Sequence, residues 1–201
     1  MHLTHLLYLH GFRSSPRSAK AQQVEHALRE RHPAVQWCCP QLPPSPREAA
    51  ALIQAQTAQW PTEGMAVVGS SLGGFYATWL AERRGCRAAV INPAVAPARQ
   101  LAQHLGEHSS FHDPNERFFF RPEFIAEFAV LHPYPITRPA RYRALIAQGD
   151  EVLDWREMQA HYAGADVTVL PGSDHAVSDF PQHLPDLLQW LSRPCPVPLQ
   201  A

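Results

Sequence analysis

The sequence predicts an α/β fold with a mostly parallel central sheet and crossover helices on both faces. Two observations carry this expectation. Short apolar runs alternate along the chain with stretches of helical periodicity, and the intervals between runs suit one crossover helix each. A third observation is a glycine-flanked turn directly after the Met65–Val68 run. It puts a chemical motif at a strand end, where sheets of this kind do their chemistry.

Strands are expected near Leu6–Leu9, Val35–Cys38, Ala66–Val68, Ala88–Ile91, Ala144–Ala147 and Val167–Leu170, each too short an apolar run for a helix. The first helix should start around Ser15 or Pro16. It should stop before Pro33, because a residue preceding proline is pushed out of the α region. The second has Ser45 as N-cap, Pro46 at the first helical position and Glu48 closing a capping box. Further helices should follow Ser71, Pro97 and Asp154, with a last one between about Pro181 and Leu191. Residues 1–193 then read as one domain, and 194–201, with Pro194, Pro196 and Pro198, as a flexible tail.

Composition narrows the function classes. Lys plus Arg total 17 and Asp plus Glu 18, a net charge of −1 that offers no footprint for nucleic acid or an anionic membrane surface. No apolar run approaches the length of a membrane span. The first nine residues read as a strand, so no secretory leader is expected. Cys38, Cys39, Cys86 and Cys195 form no C-x-x-C, which argues against a zinc knuckle or a disulfide framework and points to a reducing cytoplasm.

Gly69-Ser70-Ser71-Leu72-Gly73 is a G-x-S-x-G pentapeptide between an apolar run and a helical pattern. That is the setting of a nucleophile elbow, whose turn is too sharp for side chains at the flanking glycines. Ser71 is therefore the expected nucleophile, and Ser70 has the wrong spacing. The backbone N–H of Leu72 would point into the oxyanion site.

A serine hydroxyl needs a base, and the base needs an acid to hold its tautomer. Val167–Leu170 reads as the last strand, so His175 in the loop at its carboxyl end is the expected base. His161 and His183 lie in helical patterns and read as solvated. Asp150 comes directly off the Arg143–Gln148 run and is the expected acid. Asp154 is second, because Asp-x-x-Glu at a helix start gives it a ready role as N-cap. Glu151 should point away if Asp150 points in, and Asp174 reads as a loop carboxylate. His10-Gly11-Phe12 follows the first strand, so Phe12 would supply the second oxyanion N–H. His10 would shape that loop by hydrogen bonding rather than act as the base.

Together, Tyr8-Leu9-His10-Gly11-Phe12, Ser14-Ser15-Pro16 with Ser18 and Lys20-Ala21, Gly69 to Thr78, Asn92-Pro93-Ala94-Val95, Gly149 to Asp154, and Asp174-His175 resemble the YqiA/YcfP-type esterases. These are small serine hydrolases of the α/β-hydrolase fold with little cap. The resemblance runs from about Tyr8 to Leu191. It implies hydrolysis of short acyl esters, with acyl-CoA thioesters as an alternative, and carries Ser71, Asp150 and His175 as nucleophile, acid and base. The reaction so read takes a small-molecule substrate and needs no metal or organic cofactor. The stretch from His104 to Tyr142 matches least, so a cap-like segment of about 104–142 is expected to define the substrate.

Two other signals carry less. His104-Leu105-Gly106-Glu107-His108 fits H-x-x-E-H, but a zinc site there needs a stable helix, which Gly106 weakens by ~1 kcal/mol relative to Ala. The aromatic run from Phe111 to Tyr134 reads mostly as packing, with one or two rings lining an acyl pocket. The expectation is thus an esterase working through an acyl-enzyme. A serine peptidase is a rival reaction, and a non-catalytic hydrolase-fold binding module is a rival of another class.

Overall fold

The structure, a computed structural model, describes residues 3–132 and 135–193. In chain order the elements begin with β1 (His5–Leu9), α1 (Ala19–Arg31), β2 (Gln36–Cys38), α2 (Pro46–Thr57) and β3 (Met65–Ser70). There follow α3 (Leu72–Arg84), β4 (Arg87–Ile91), α4 (Pro97–Gln100), β5 (Gly106–Ser109) and β6 (Arg117–Phe120). The chain continues through α5 (Pro122–Leu131), β7 (Tyr142–Ala147), α6 (Trp155–His161), β8 (Asp166–Leu170) and α7 (Phe180–Leu191). The expected tail, 194–201, and Tyr134 lie outside the described residues.

Six strands form one parallel sheet in the order β2-β1-β3-β4-β7-β8. Its faces are both covered, so the central strands are apolar on both sides and read as continuous runs rather than alternations. Leu7, Leu9, Val67, Val90 and Ile146 pack with α2, α3, α5 and α6 on one face. Leu6, Tyr8, Val68, Ile91 and Leu145 pack with α1 and α7 on the other. Each fully buried Leu, Ile or Val here contributes about 1.5–3 kcal/mol.

The strand order places the site. The chain steps outward from β1 to β2, then returns past β1 to β3, so its winding direction reverses between β1 and β3. Crossovers leave that point on opposite faces and open a crevice at the strands' carboxyl ends. Register does the rest: Leu9 pairs with Gly69 and Ser70 with Ile91, so the segments after β1, β3 and β4 emerge side by side.

All six predicted sheet strands are present: β2 starts one residue late, and the other five are longer than expected by one to three residues. Several other expectations change. Ser15 to Ser18 form a turn, with Ser18 N–H donating to the Ser15 carbonyl at 3.0 Å, and α1 starts only at Ala19. Ser45 caps α2 by accepting from Glu48 N–H at 3.2 Å, and the carboxylate that joins it there is not the expected Glu48. Glu127 of α5 accepts from the Ser45 hydroxyl at 2.7 Å and from Arg47 N–H at 3.0 Å, a carboxylate at the positive end of α2. Between His104 and Tyr142 lie an antiparallel hairpin of β5 and β6 and the helix α5, none of which was expected as such. The H-x-x-E-H residues therefore do not form the helix that a zinc reading requires. His108 lies in β5 and its Nε2 donates to the His104 carbonyl at 2.6 Å. No helix among the described residues is long and apolar enough to cross a membrane.

Candidate active site

Ser71 sits between β3 and α3 with φ 55° and ψ −121°. A non-glycine residue held there costs on the order of 1–3 kcal/mol, so its surroundings must enforce it. Ser71 N–H donates to the Ile91 carbonyl at 2.9 Å, and its own carbonyl accepts from Gly74 N–H at 2.9 Å and Ala94 N–H at 3.0 Å. The glycines are sterically required: a Cβ on Gly69 would stand 2.2 Å from the Gly73 carbonyl oxygen, and one on Gly73 would stand 1.9 Å from that of Leu9.

The structure brings together Ser71, His175 and Asp150. His175 Nε2 lies 3.1 Å from Ser71 Oγ, and its Nδ1 lies 2.8 Å from Asp150 Oδ2. The Asp150 side chain is fully buried, and its other oxygen accepts from the N–H groups of Val152 and Leu153, both at 2.8 Å. With Nδ1–H donated to the carboxylate, Nε2 is left as an acceptor facing the serine hydroxyl.

Asp154 is elsewhere engaged. It stands at the N-cap of α6, accepting from Arg156 N–H at 2.9 Å. Asp174 binds Ser178 through both its N–H and its hydroxyl, which hold its carboxyl below the usual carboxylate range. Glu151 corrects the expectation that it points away: its carboxylate accepts from the His175 backbone N–H at 3.0 Å. His183 is paired with Asp179 at 2.9 Å. His161 is not simply solvated; its ring lies 4.9 Å from that of Tyr162, and burial pushes it down to about 4.

The turn after β1 closes over Ser71. A Cβ on Gly11 would lie 3.2 Å from Ser71 Cβ, so the bare backbone is what allows the approach. The Phe12 ring is fixed edge-on against Phe118 and Phe120. Leu72 is the first residue of α3, and its N–H is among those that a helix leaves without an intrahelical acceptor.

His10 braces this turn. It is almost fully buried; its Nδ1–H donates to the Gly11 carbonyl at 3.0 Å and its Nε2 accepts from Leu42 N–H at 3.1 Å. Accepting from Leu42 requires the neutral ring, and although the bond to Gly11 favours the charged form, burial pushes the ring down to about 4. In the unfolded chain a histidine titrates at about 6.5. Between those values the unfolded chain binds the proton that the folded one refuses. Stability is therefore full above about pH 6.5 and falls as pH drops toward 4, by up to ~1.4 kcal/mol per pH unit. His10→Asn keeps the donor to Gly11 and removes this slope, leaving the part that His161 contributes. Urea midpoints measured between about pH 7 and pH 5 should fall less in the variant than in the wild type; an equal fall would locate the acid sensitivity elsewhere.

Asn92 is the residue that motif reasoning on chemistry passed over. It is fully buried with φ 43°, directly after β4. Its Nδ2 donates to the carbonyls of Asp174 and His175, both at 3.0 Å, and its Oδ1 accepts from Ala147 N–H at 2.7 Å. It thus ties the loop carrying His175 to the end of the strand that leads to Asp150. The available signal was an Asn between an apolar strand and Pro93, since Asn tolerates positive φ better than most residues.

Two cavities flank the Gly11–Phe12 turn. One, of about 370 Å³, has walls of Phe12, Leu42, Pro43, Leu72, Tyr76 and Phe118. The other, of about 210 Å³, is the one that Ser71 and His175 themselves line.

Solved structures share this architecture. Mouse alpha/beta hydrolase domain-containing protein 10 superposes with a TM-score of 0.68 at 19% identity, over 94% of this chain and 90% of that one. Est1E from Butyrivibrio proteoclasticus, solved with ferulic acid bound, gives 0.71 at 13% identity over 94% and 89%. A monoacylglycerol lipase from Paleococcus ferrophilus gives 0.66 at 14% identity over 94% and 96%. At such identities the likeness is one of fold, and that fold is the α/β-hydrolase fold. A family model, that of an uncharacterised protein family, UPF0227, matches residues 5–192. With nearly its whole length matched, this chain belongs to UPF0227, the family of the YqiA/YcfP-type proteins.

Proposed function

We propose that the protein is a serine esterase that hydrolyses short acyl esters through an acyl-enzyme. The observation that carries this reading is the continuous hydrogen-bonded chain from buried Asp150 through His175 to Ser71, set on a strained strand-to-helix turn.

In this mechanism Ser71 Oγ attacks the ester carbonyl carbon while His175 Nε2 accepts its proton. The Asp150 carboxylate holds Nδ1–H and stabilises the imidazolium that forms. The N–H groups of Phe12 and Leu72 receive the oxyanion. When the tetrahedral intermediate collapses, the carbon–oxygen bond to the alcohol breaks and His175 returns the proton to the leaving oxygen. Water, deprotonated by the same ring, then attacks the acyl-enzyme and releases the acid with Ser71 restored. Strain at Ser71 supports the reading because it presents Oγ to substrate, a placement with no benefit to packing. The 104–142 segment serves as a cap, with Phe118 on the wall of the larger cavity.

One acyl group presented as an ester, a thioester and an anilide tests the reaction class. The expected order of kcat/KM is ester first, with the thioester cleaved by the same serine and the anilide slowest by a wide margin. Anilide cleavage matching that of the ester would favour a peptidase. Inertness toward all three in folded protein would favour the binding module.

A further inference from the structure

The smaller cavity beside Ser71 carries a charge that the proposed mechanism does not use. Its lining includes Ser18, Lys20, Ser70 and Phe111 besides Ser71 and His175, and no carboxylate. Lys20, in the first turn of α1, is half-buried, and its ammonium donates to the Ala176 carbonyl at 2.5 Å. An ammonium has three protons to donate, so two remain for another acceptor. The carboxylates that act on it do so only from beyond ion-pair distance: Asp150 is committed to His175, and Asp174 to Ser178. Burial pushes the Lys20 ammonium down from its ordinary value, as desolvation without a close anion should.

The neighbours of Lys20 are also unspent. Ser18 is the N-cap residue of α1, yet its hydroxyl makes no cap bond, and Oγ is buried without a well-formed hydrogen bond although the Tyr8 phenol lies against it. The first turn of α1 contains no acidic residue, so the positive end of that helix is uncompensated by a carboxylate of its own. Across the cavity the Phe111 ring is stacked under Arg13, whose guanidinium carbon is 4.3 Å from the ring centroid and whose backbone is held at φ 59°. An ammonium with protons left to donate and no ion pair, a hydroxyl that makes no cap bond and a helix N-terminus converge beside the serine in a space sized for a small group.

We propose that this cavity binds a carboxylate carried by the substrate, so that the preferred esters are short and anionic, with the negative charge a few bonds from the scissile carbonyl. The proposal rests on the esterase reading given above and deepens it. The substrate carboxylate accepts from Lys20 Nζ and the Ser18 hydroxyl, while Phe111 and the Gly11–Phe12 turn enclose its short stem.

Two matched pairs of esters separate the acyl side from the alcohol side. Nitrophenyl hydrogen glutarate is compared with nitrophenyl pentanoate, and carboxyphenyl butyrate with phenyl butyrate. The wild type should favour the charged member of one pair by about tenfold or more in kcat/KM, expressed mainly in KM. In Lys20→Met that preference ratio should fall at least about tenfold, and in Lys20→Arg it should largely survive. No preference in either pair, or a ratio unmoved by Lys20→Met, overturns the proposal. Calorimetry on the Ser71→Ala protein keeps the two readings distinguishable. Tighter binding of hydrogen glutarate ester than of pentanoate ester, lost on adding Lys20→Met, upholds the cavity even if no ester is turned over. Tighter binding of carboxyphenyl butyrate than of phenyl butyrate, lost likewise, upholds it on the alcohol side, and equal binding within both pairs overturns it even if the esters are hydrolysed.

Discussion

Asp150→Asn is expected to lower kcat by about 10⁴ while leaving Tm almost unchanged. The variant's carbonyl oxygen can still accept from Val152 and Leu153 N–H, so the β7–α6 loop keeps its anchor. Its amide nitrogen, however, now donates toward His175 Nδ1. The ring must accept there, which moves its proton to Nε2, facing Ser71 Oγ with a donor where the reaction needs an acceptor. Asp154→Ala should do the reverse, losing ~1 kcal/mol with the N-cap of α6 while retaining most of its turnover. Thermal melts and initial rates on both variants check this. Turnover lost in Asp154→Ala but kept in Asp150→Asn would exchange the two roles.

His175→Ala should be the most damaging of the single changes, with kcat lowered by about 10⁵–10⁶. What persists should be the contribution of the oxyanion donors and of substrate binding, roughly 10³–10⁴ over water. The imidazole is about one-fifth exposed, so the space it vacates opens to solvent. Added imidazole should therefore restore part of the rate in a saturable way, a response that a merely misfolded protein would not give. Wild-type turnover in folded His175→Ala would remove this residue from the mechanism.

The sheet and the arrangement of the candidate site were largely legible in the sequence, for a common reason. Strands buried on both faces must be apolar throughout, and the elbow cannot tolerate side chains at Gly69 and Gly73, so both leave compositional marks. The hairpin between Gly106 and Phe120 leaves none. Gly106-Glu107-His108-Ser109 is partly exposed and has no apolar alternation, and its strand character comes from pairing with Arg117–Phe120 rather than from its own residues. The late start of α1 has a similar origin, since the Ser15 hydroxyl accepts from Arg17 N–H and favours a turn over a helix. Asn92 escaped because its work is done entirely by contacts to segments more than fifty residues away. Glu127 on the N-terminus of α2 is hidden in the same way, eighty residues from Arg47. Spacing reveals a motif whose parts are adjacent in the chain; long-range clamps show only in three dimensions.

The central claim is that Ser71 is a nucleophile activated by His175, and a covalent trap tests it most directly. The intact protein is treated with a fluorophosphonate, its mass is measured, and the modified peptide is mapped. The account predicts one adduct per chain on Ser71, formed equally well in Ser70→Ala, abolished in Ser71→Ala and greatly slowed in His175→Ala. A folded wild type that takes no label, or a Ser71→Ala variant that still takes it, would contradict the account.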